Sequence, residues 1–443
     1  MGMPMINPPR RVSVLADSDS RWKWGAALAR RIAPEATLDA YFLNGRATPT
    51  ERQLAEVGVV PDSSCEVTVA EFLADPRVGE ADVLILALVG GGAQALLHGT
   101  AQAWSALPRR PVVITGYVGV VYEKLTDGLL LRAGSDIVLA NTTADAERFR
   151  EVLAGVGADP GSVVETALPF LGGAQYVPAP ASAGQETRRF TVCFAAQPSA
   201  PRSRSARRQL LERAAQHARR YPDRDVLVKL RSLPGEQTTH VEDFPYQRLL
   251  HELTIPAPFN LDLVYGHMSD VLDRTDLLVT VSSTAALESL HRSIPTAVLT
   301  DFGVREPLGN HYFIGSGCLA SWDELDAGIV PVPDQRWLRR HGVLSDEPYL
   351  ALRERISELR GLPVMPSIVP YYSESRASGY QPALLRRYGL DPKGAPLVEA
   401  PAPDARTGAL NRIVRRTVRR SARSCYRLGA QRVAPVIRRW GQL

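Results

Sequence analysis

The stretch from Asp276 to Leu299 limits what this chain can fold into more than any other. Leu277 to Val281 is a short apolar, β-branched run bounded by polar residues, the pattern of a strand buried on both faces of a parallel sheet. Ser282, Ser283 and Thr284 follow, and these residue types cap helix N-termini. Pro295 stands just past the end of the helix they open, and Thr296 to Leu299 reads as the next strand. Strand, turn, helix and strand in succession make a βαβ unit, which requires a parallel sheet with helices packed on its faces. Amides and the dipole at such a helix terminus favour an anion, for example a phosphate. Glu288, four residues after Thr284, falls on nearly the same helix face, within reach of the ribose hydroxyls of a nucleotide.

This unit resembles the donor-binding element of GT-B glycosyltransferases, in particular the bacterial sialyltransferase, capsule-type and CDP-glycerol transferase relatives. In those proteins a strand runs into Ser-Ser/Thr, then a helix that carries an acid and ends in Gly-x-Pro. Here Ser293 takes the glycine's place in Ser293-Ile294-Pro295. The resemblance covers about half the chain in outline, and this unit is its specific part. It implies two Rossmann-like domains facing a cleft and a metal-independent, inverting sugar transfer. Ser282, Ser283, Thr284 and Glu288 would then hold a nucleotide-linked donor, CMP- or UDP-activated.

The first half alternates strands with helices, as a doubly wound parallel sheet does. Strands are expected at Arg11–Ala16, Leu38–Leu43, Cys65–Val69, Ala81–Leu88, Arg110–Thr115, Ser135–Ala140 and Val163–Leu168. Ligands of such sheets sit at the carboxyl ends of the strands. That groups the Asp17–Trp24 loop, the Gly90–Gly92 turn and the Gly116–Glu123 loop around one crevice. Asp17-Ser-Asp19 looks like the D-x-D metal motif of the other glycosyltransferase fold, but two acids in a Ser-rich loop are ordinarily turn residues. A carboxylate after the first strand can instead be the general base that deprotonates an acceptor hydroxyl, so Asp17 and Asp19 are candidates. Asp127, in Thr126-Asp127-Gly128, is a rival. The related sialyltransferases carry their base in an acidic-acidic-Gly motif, from which Thr126 departs. His98 reads as a surface residue near a helix end.

Leu171 to Thr187 has the Gly, Ala, Pro and Ser content of a linker. A second sheet starts at Arg189. The strand Asp225–Arg231 carries Lys229 and Arg231 at its tip, where the resembling families hold the donor with Lys-x-His-Pro. The His-Pro pair is missing here, and Arg231 can take its place, since a guanidinium pairs bidentately with a phosphate. Asn310 and His311 lie in a Gly- and aromatic-rich loop after Leu299, of the kind found at ligand crevices. The expected organisation is 1–170 for an acceptor-side domain, 171–188 for a linker, 189–391 for a donor domain and 392–443 for a tail. Residues 366–390 are expected to cross back to the first domain.

The net charge of +5 belongs to the tail. Residues 404–443 hold eleven arginines and one acid, a balance of +10, which leaves the rest of the chain at −5. The body therefore has no nucleic-acid footprint. Leu410, Ile413, Val414 and Val418 share one helical face, with arginines elsewhere, and Val433, Val436, Ile437 and Trp440 repeat the pattern. Such basic amphipathic helices dock on anionic lipid. Met1 to Arg11 lacks the apolar core of a signal peptide, and no apolar run approaches the roughly 20 residues of a membrane span. Four widely spaced cysteines (65, 193, 318 and 425) suggest neither a disulfide framework nor a zinc cluster.

The expectation is thus an α/β protein of two Rossmann-like domains with a basic helical tail. It would transfer a sugar from a nucleotide-activated donor to a cell-surface glycan or lipid-linked acceptor, without a cofactor. It would work at the cytoplasmic face of the plasma membrane as a peripheral protein. The alternatives are a nucleotide-sugar 2-epimerase on the same fold and a non-catalytic scaffold that keeps it.

Overall fold

The computed structural model describes residues 8–45, 47–107, 109–120, 125–178, 188–198, 200–233, 236 and 242–397. From residue 398 on, the expected tail lies outside them, as do Val121–Lys124 and most of the second half of the linker.

Residues up to Pro396 form one compact unit built on two sheets. The first has seven strands: β1 (Arg11–Ala16), β2 (Thr37–Leu43), β3 (Ser63–Val67), β4 (Val83–Ala87), β5 (Val112–Gly116), β6 (Ile137–Ala140) and β7 (Val163–Glu165). Their order is β3-β2-β1-β4-β5-β6-β7, all parallel. The second has β8 (Phe190–Ala195), β9 (Arg224–Lys229), β10 (Leu261–Val264), β11 (Leu277–Thr280), β12 (Thr296–Leu299) and β13 (Leu319–Ala320), also parallel, in the order β10-β9-β8-β11-β12-β13. Both are doubly wound Rossmann orders. Each reverses direction beside its first strand, between β1 and β4 and between β8 and β11, and the crevice at that reversal is where such sheets take ligands.

The central strands are apolar along their whole length because helices cover both faces. Val12, Val14 and Ala16 of β1 pack with Trp22, Trp24 and Leu28 on one face, and Leu15 packs with Leu84, Leu86 and Leu96 on the other. In the second sheet Val192 and Phe194 of β8 meet Leu210, Leu211 and Trp322, while Cys193 and Leu278 meet Leu287 and Leu290. From Tyr349 the chain packs on the first sheet again. Leu352, Ile356 and Leu359 of the helix Leu350–Gly361 join the core around β1. Ile368, Leu385 and Leu390 join the opposite face. The return therefore begins earlier than residue 366.

Two loops expected from composition are helical. The helix after β1 starts at Asp19 and runs to Ile32, with Ser18 as an extended N-cap at φ −168° and ψ 163°. Ser18 makes no side-chain cap; the Asp19 charge in the first turn suits the helix dipole, and burial of Trp22 and Trp24 holds the first turns in place. Gly90–Gly92 is the first turn of the helix Gly90–Ala103 and not a turn before it. A Cβ on Gly90 would stand 2.8 Å from Leu131 Cδ1, so glycine there lets the helix start pack closely.

Candidate functional site in the cleft between the sheets

The carboxyl ends of β1, β8, β9 and β11 face one cavity of about 390 Å³. Asp19, Lys229, Arg231, Ser282, Ser283, Thr284 and Glu288 all line it. The two walls come close, since a Cβ on Gly119 of the first lobe would stand 3.0 Å from Thr284 Cγ2.

Lys229 is the last residue of β9 and is only 8% exposed. Its ammonium donates to the carbonyl of Leu230 at 2.7 Å, and no described carboxylate lies within ion-pair distance of it. Desolvation pulls its pKa below the ordinary lysine value, partly offset by the charge of Glu56. A buried cation without an ion-pair partner is expensive, and an anion arriving in the cleft relieves that cost. Arg231, two residues on, is engaged across the cleft: Nη2 lies 2.5 Å from Asp19 Oδ1 and Nε 3.2 Å from Asp19 Oδ2, and the guanidinium also meets the Ser20 hydroxyl. Glu288 is 6% exposed. Both of its oxygens accept from Lys23 Nζ at 3.1 Å, and that ammonium also lies 4.6 Å from the centre of the Phe170 ring. A third ion pair between the two lobes joins Arg52 to Glu236.

The Ser-Ser-Thr turn is built differently from a simple cap. Thr284 is already helical at φ −60° and ψ −17°, and makes no side-chain cap. Ser283 Oγ accepts from the Ala285 amide at 3.2 Å. The Ser283 amide donates to Thr280 Oγ1 at 3.2 Å, and the Ser282 amide to Gln197 Oε1 at 2.8 Å. Ser282 Oγ donates to the Leu308 carbonyl at 2.6 Å. The expected free amides are therefore largely satisfied within the fold, and what the turn offers the cleft is hydroxyl edges. Arg207, buried in the helix Arg204–Arg220, holds the Gln197 carbonyl at 2.9 Å, so Gln197 is braced before it braces Ser282.

The remaining expected residues lie elsewhere. Asp17 faces a neighbouring cavity with Arg21, Asn44, Thr68, Arg387 and Tyr388. It accepts from Arg21 Nη1 at 2.8 Å and from the Val89 amide at 3.0 Å. Asp127 is exposed in the helix Leu125–Leu130, away from the cleft lining. Asn310 is fully buried and scaffolds its loop: Nδ2 donates to the carbonyls of Leu299 and Gly303 at 3.0 and 2.9 Å, and Oδ1 accepts from the Arg305 amide at 3.0 Å. His311, beside it in the 3-10 turn Asn310–Phe313, does not line the cleft. His98 sits within its helix and meets the Tyr372 carbonyl at 2.8 Å, so it ties down the returning chain.

Lys23, Glu56, Gln197 and His267 line the cleft and were not picked out from sequence. For Lys23 the signal was present: it lies one helical turn after Asp19 once the helix is seen to start there. Glu56 caps a five-residue helix, Glu51–Ala55, too short to show a pattern. No group of three or more His, Cys, Asp and Glu side chains has metal-binding geometry among the described residues. None of the described helices is long and apolar enough to cross a membrane.

The family described as "Putative glycosyltransferase (DUF6716)" has a model that matches residues 12–359, from β1 to the helix that returns to the first sheet. No curated protein matches the sequence. Among solved structures, UDP-GlcNAc 2-epimerase from Neisseria meningitidis is 10% identical, over 78% of this chain and 97% of its own, with a TM-score of 0.45. The spinosyn rhamnosyltransferase SpnG is 13% identical over 81% and 98%, with a TM-score of 0.40. SnogD from Streptomyces nogalater, a glycosyltransferase, is 16% identical over 80% and 95%, with a TM-score of 0.37. Likeness at this level says nothing about substrate.

Proposed function

This chain belongs to the DUF6716 glycosyltransferase family, and from that premise we propose that it is an inverting transferase that moves a sugar from a nucleotide-activated donor to a hydroxyl of a glycan or lipid-linked acceptor. The observation that carries the donor side is Lys229, a desolvated cation at the end of β9 with no carboxylate in ion-pair range among the described residues. With Arg231 it supplies positive charge where a leaving phosphate gathers negative charge, and fixed charges in a water-poor cleft stabilise that developing charge strongly. Ser283 and Thr284 present hydroxyls to the same cavity, and Glu288 presents a carboxylate suited to ribose hydroxyls. The base comes from the opposite lobe. Asp19 is the candidate that lines the cleft, and the Asp17 cavity beside it suits the acceptor. The basic tail supports work at an anionic membrane surface, on the cytoplasmic face, as a peripheral protein.

The test is a thermal-shift panel of CMP, CDP, UMP, UDP, GDP and TDP on the chain and on Lys229→Met. A ligand at about 100 times its Kd stabilises by about 2.7 kcal/mol. One nucleotide is expected to raise the melting temperature selectively, and the variant, folded and at least as stable without ligand, is expected to lose that response. No response from the parent chain to any nucleotide would refute the reading, and an undiminished response in Lys229→Met would refute the role of Lys229.

A further inference from the structure

We propose that the donor itself releases the catalytic base: Asp19 is held by Arg231, and the donor phosphate frees it by taking that arginine. This rests on the transferase reading above.

The Nε–Nη2 edge of the Arg231 guanidinium is filled by both oxygens of Asp19, and Nη2 also meets the Ser20 hydroxyl, so the side-on fork is taken. A phosphate presents the same pair of oxygens with more charge, so carboxylate and phosphate compete for one set of donors. Lys229 stands two residues away, and an anion bridging Lys229 and Arg231 has an attraction that Asp19 alone lacks. Lys23, one helical turn after Asp19, holds Glu288 in the same fashion. Two side chains of one helix in the first lobe are thus paired with two groups of the second lobe that the donor needs.

The same geometry separates Asp19 from Asp17. The partners of Asp17 are Arg21 and the Val89 amide, both in its own lobe, so a donor in the cleft leaves them in place. Only the partner of Asp19 is also a donor ligand. Once freed, the Asp19 carboxylate takes the acceptor proton. The acceptor oxygen forms a bond to the anomeric carbon as the bond from that carbon to the phosphate oxygen breaks. The leaving electron pair goes to the nucleotide phosphate, facing Lys229 and Arg231, and the hydroxyl proton goes to Asp19. The base is then unmasked only when a nucleotide phosphate occupies the cleft.

The experiment is calorimetric titration with the nucleotide selected by the panel, on the parent chain, Asp19→Asn, Asp19→Ser and Asp19→Glu. Removal of the competitor raises the fraction of Arg231 ready to bind, so Asp19→Asn and Asp19→Ser are expected to bind about 5- to 20-fold more tightly. Asp19→Glu, which restores the competitor, is expected to return towards the parent value. A residue that merely supported the fold would move affinity the other way. Equal or weaker binding by both Asn and Ser variants, with the parent chain binding normally, would overturn this proposal and leave the transferase reading standing. Absence of nucleotide binding in the parent chain would remove both.

Discussion

Replacing Asp145 by Asn should stabilise the protein at neutral and alkaline pH but not in acid. Asp145 lies in the first turn of the helix Thr143–Gly155, is 3% exposed, and its Oδ2 has no hydrogen-bond partner. Burial pushes its pKa from 3.8 up to about 6, against the opposing pull of the Thr142 hydrogen bond and the Arg148 charge. The folded state thus holds this proton over a range where the unfolded chain has released it. The associated stability is fully present below the unfolded value, near 4, and is lost as pH rises through about 6. A gap of roughly two units at about 1.36 kcal/mol each makes the ionised carboxylate cost about 3 kcal/mol above that range. Asn keeps the shape and the acceptor for Thr142 but buries an amide group that is itself short of partners, at about 1–2 kcal/mol. The net expectation at pH 8 is therefore about 1–2 kcal/mol in favour of Asp145→Asn, or, for a compact unit reaching Pro396, a melting temperature higher by roughly 1–3 °C. Melting curves of the two proteins between pH 4.5 and 8 measure it. An advantage that is missing at pH 8, or equally large at pH 4.5, would refute desolvation as the cause.

Two further perturbations have defined outcomes. Ser293 adopts φ 61°, the one non-glycine residue with positive φ among those described. Its amide reaches the Leu290 carbonyl and the next amide reaches Ser289, both at 3.0 Å, closing the helix in a Schellman turn. Ser293→Gly should remove the left-handed strain and gain about 0.5 kcal/mol net, after its larger unfolded-state entropy is subtracted; a lower melting temperature would show that the side-chain bond from Ser293 Oγ to Gln175 matters more. For the tail, anionic vesicles should carry the full chain to the top of a density gradient and leave behind a chain ending at Pro403, since each basic residue near the surface adds about 1 kcal/mol; equal flotation of both would remove the membrane assignment.

What could be read from the residues alone was whatever is local. Apolar runs between polar stops located nearly every strand, and the strand, helix and following strand of the Leu277–Leu299 unit were legible because they are contiguous, whereas its turn, whose amides are satisfied by Gln197, Thr280 and Ser283, was not. Lys229 and Arg231 were legible as cations at a strand tip. Composition misled where burial decides: Asp17–Gly25 has the look of a loop, yet Trp22 and Trp24 are core residues and draw it into a helix. Asn310 looked like a ligand-loop residue, and only its three backbone partners show it to be a scaffold.

Sequence alone thus determined the class of fold and the cleft wall formed at the ends of β9 and β11, because hydrophobic period and helix signals act over a few residues. The tertiary structure decided which charges face one another. Asp19 and Arg231 are 212 positions apart, and Lys23 and Glu288 265. Their pairing depends on how two separately wound sheets set their strand ends against each other, and no local pattern encodes that. The proposed control of Asp19 by the donor follows from that meeting of the two lobes and from nothing in either segment by itself.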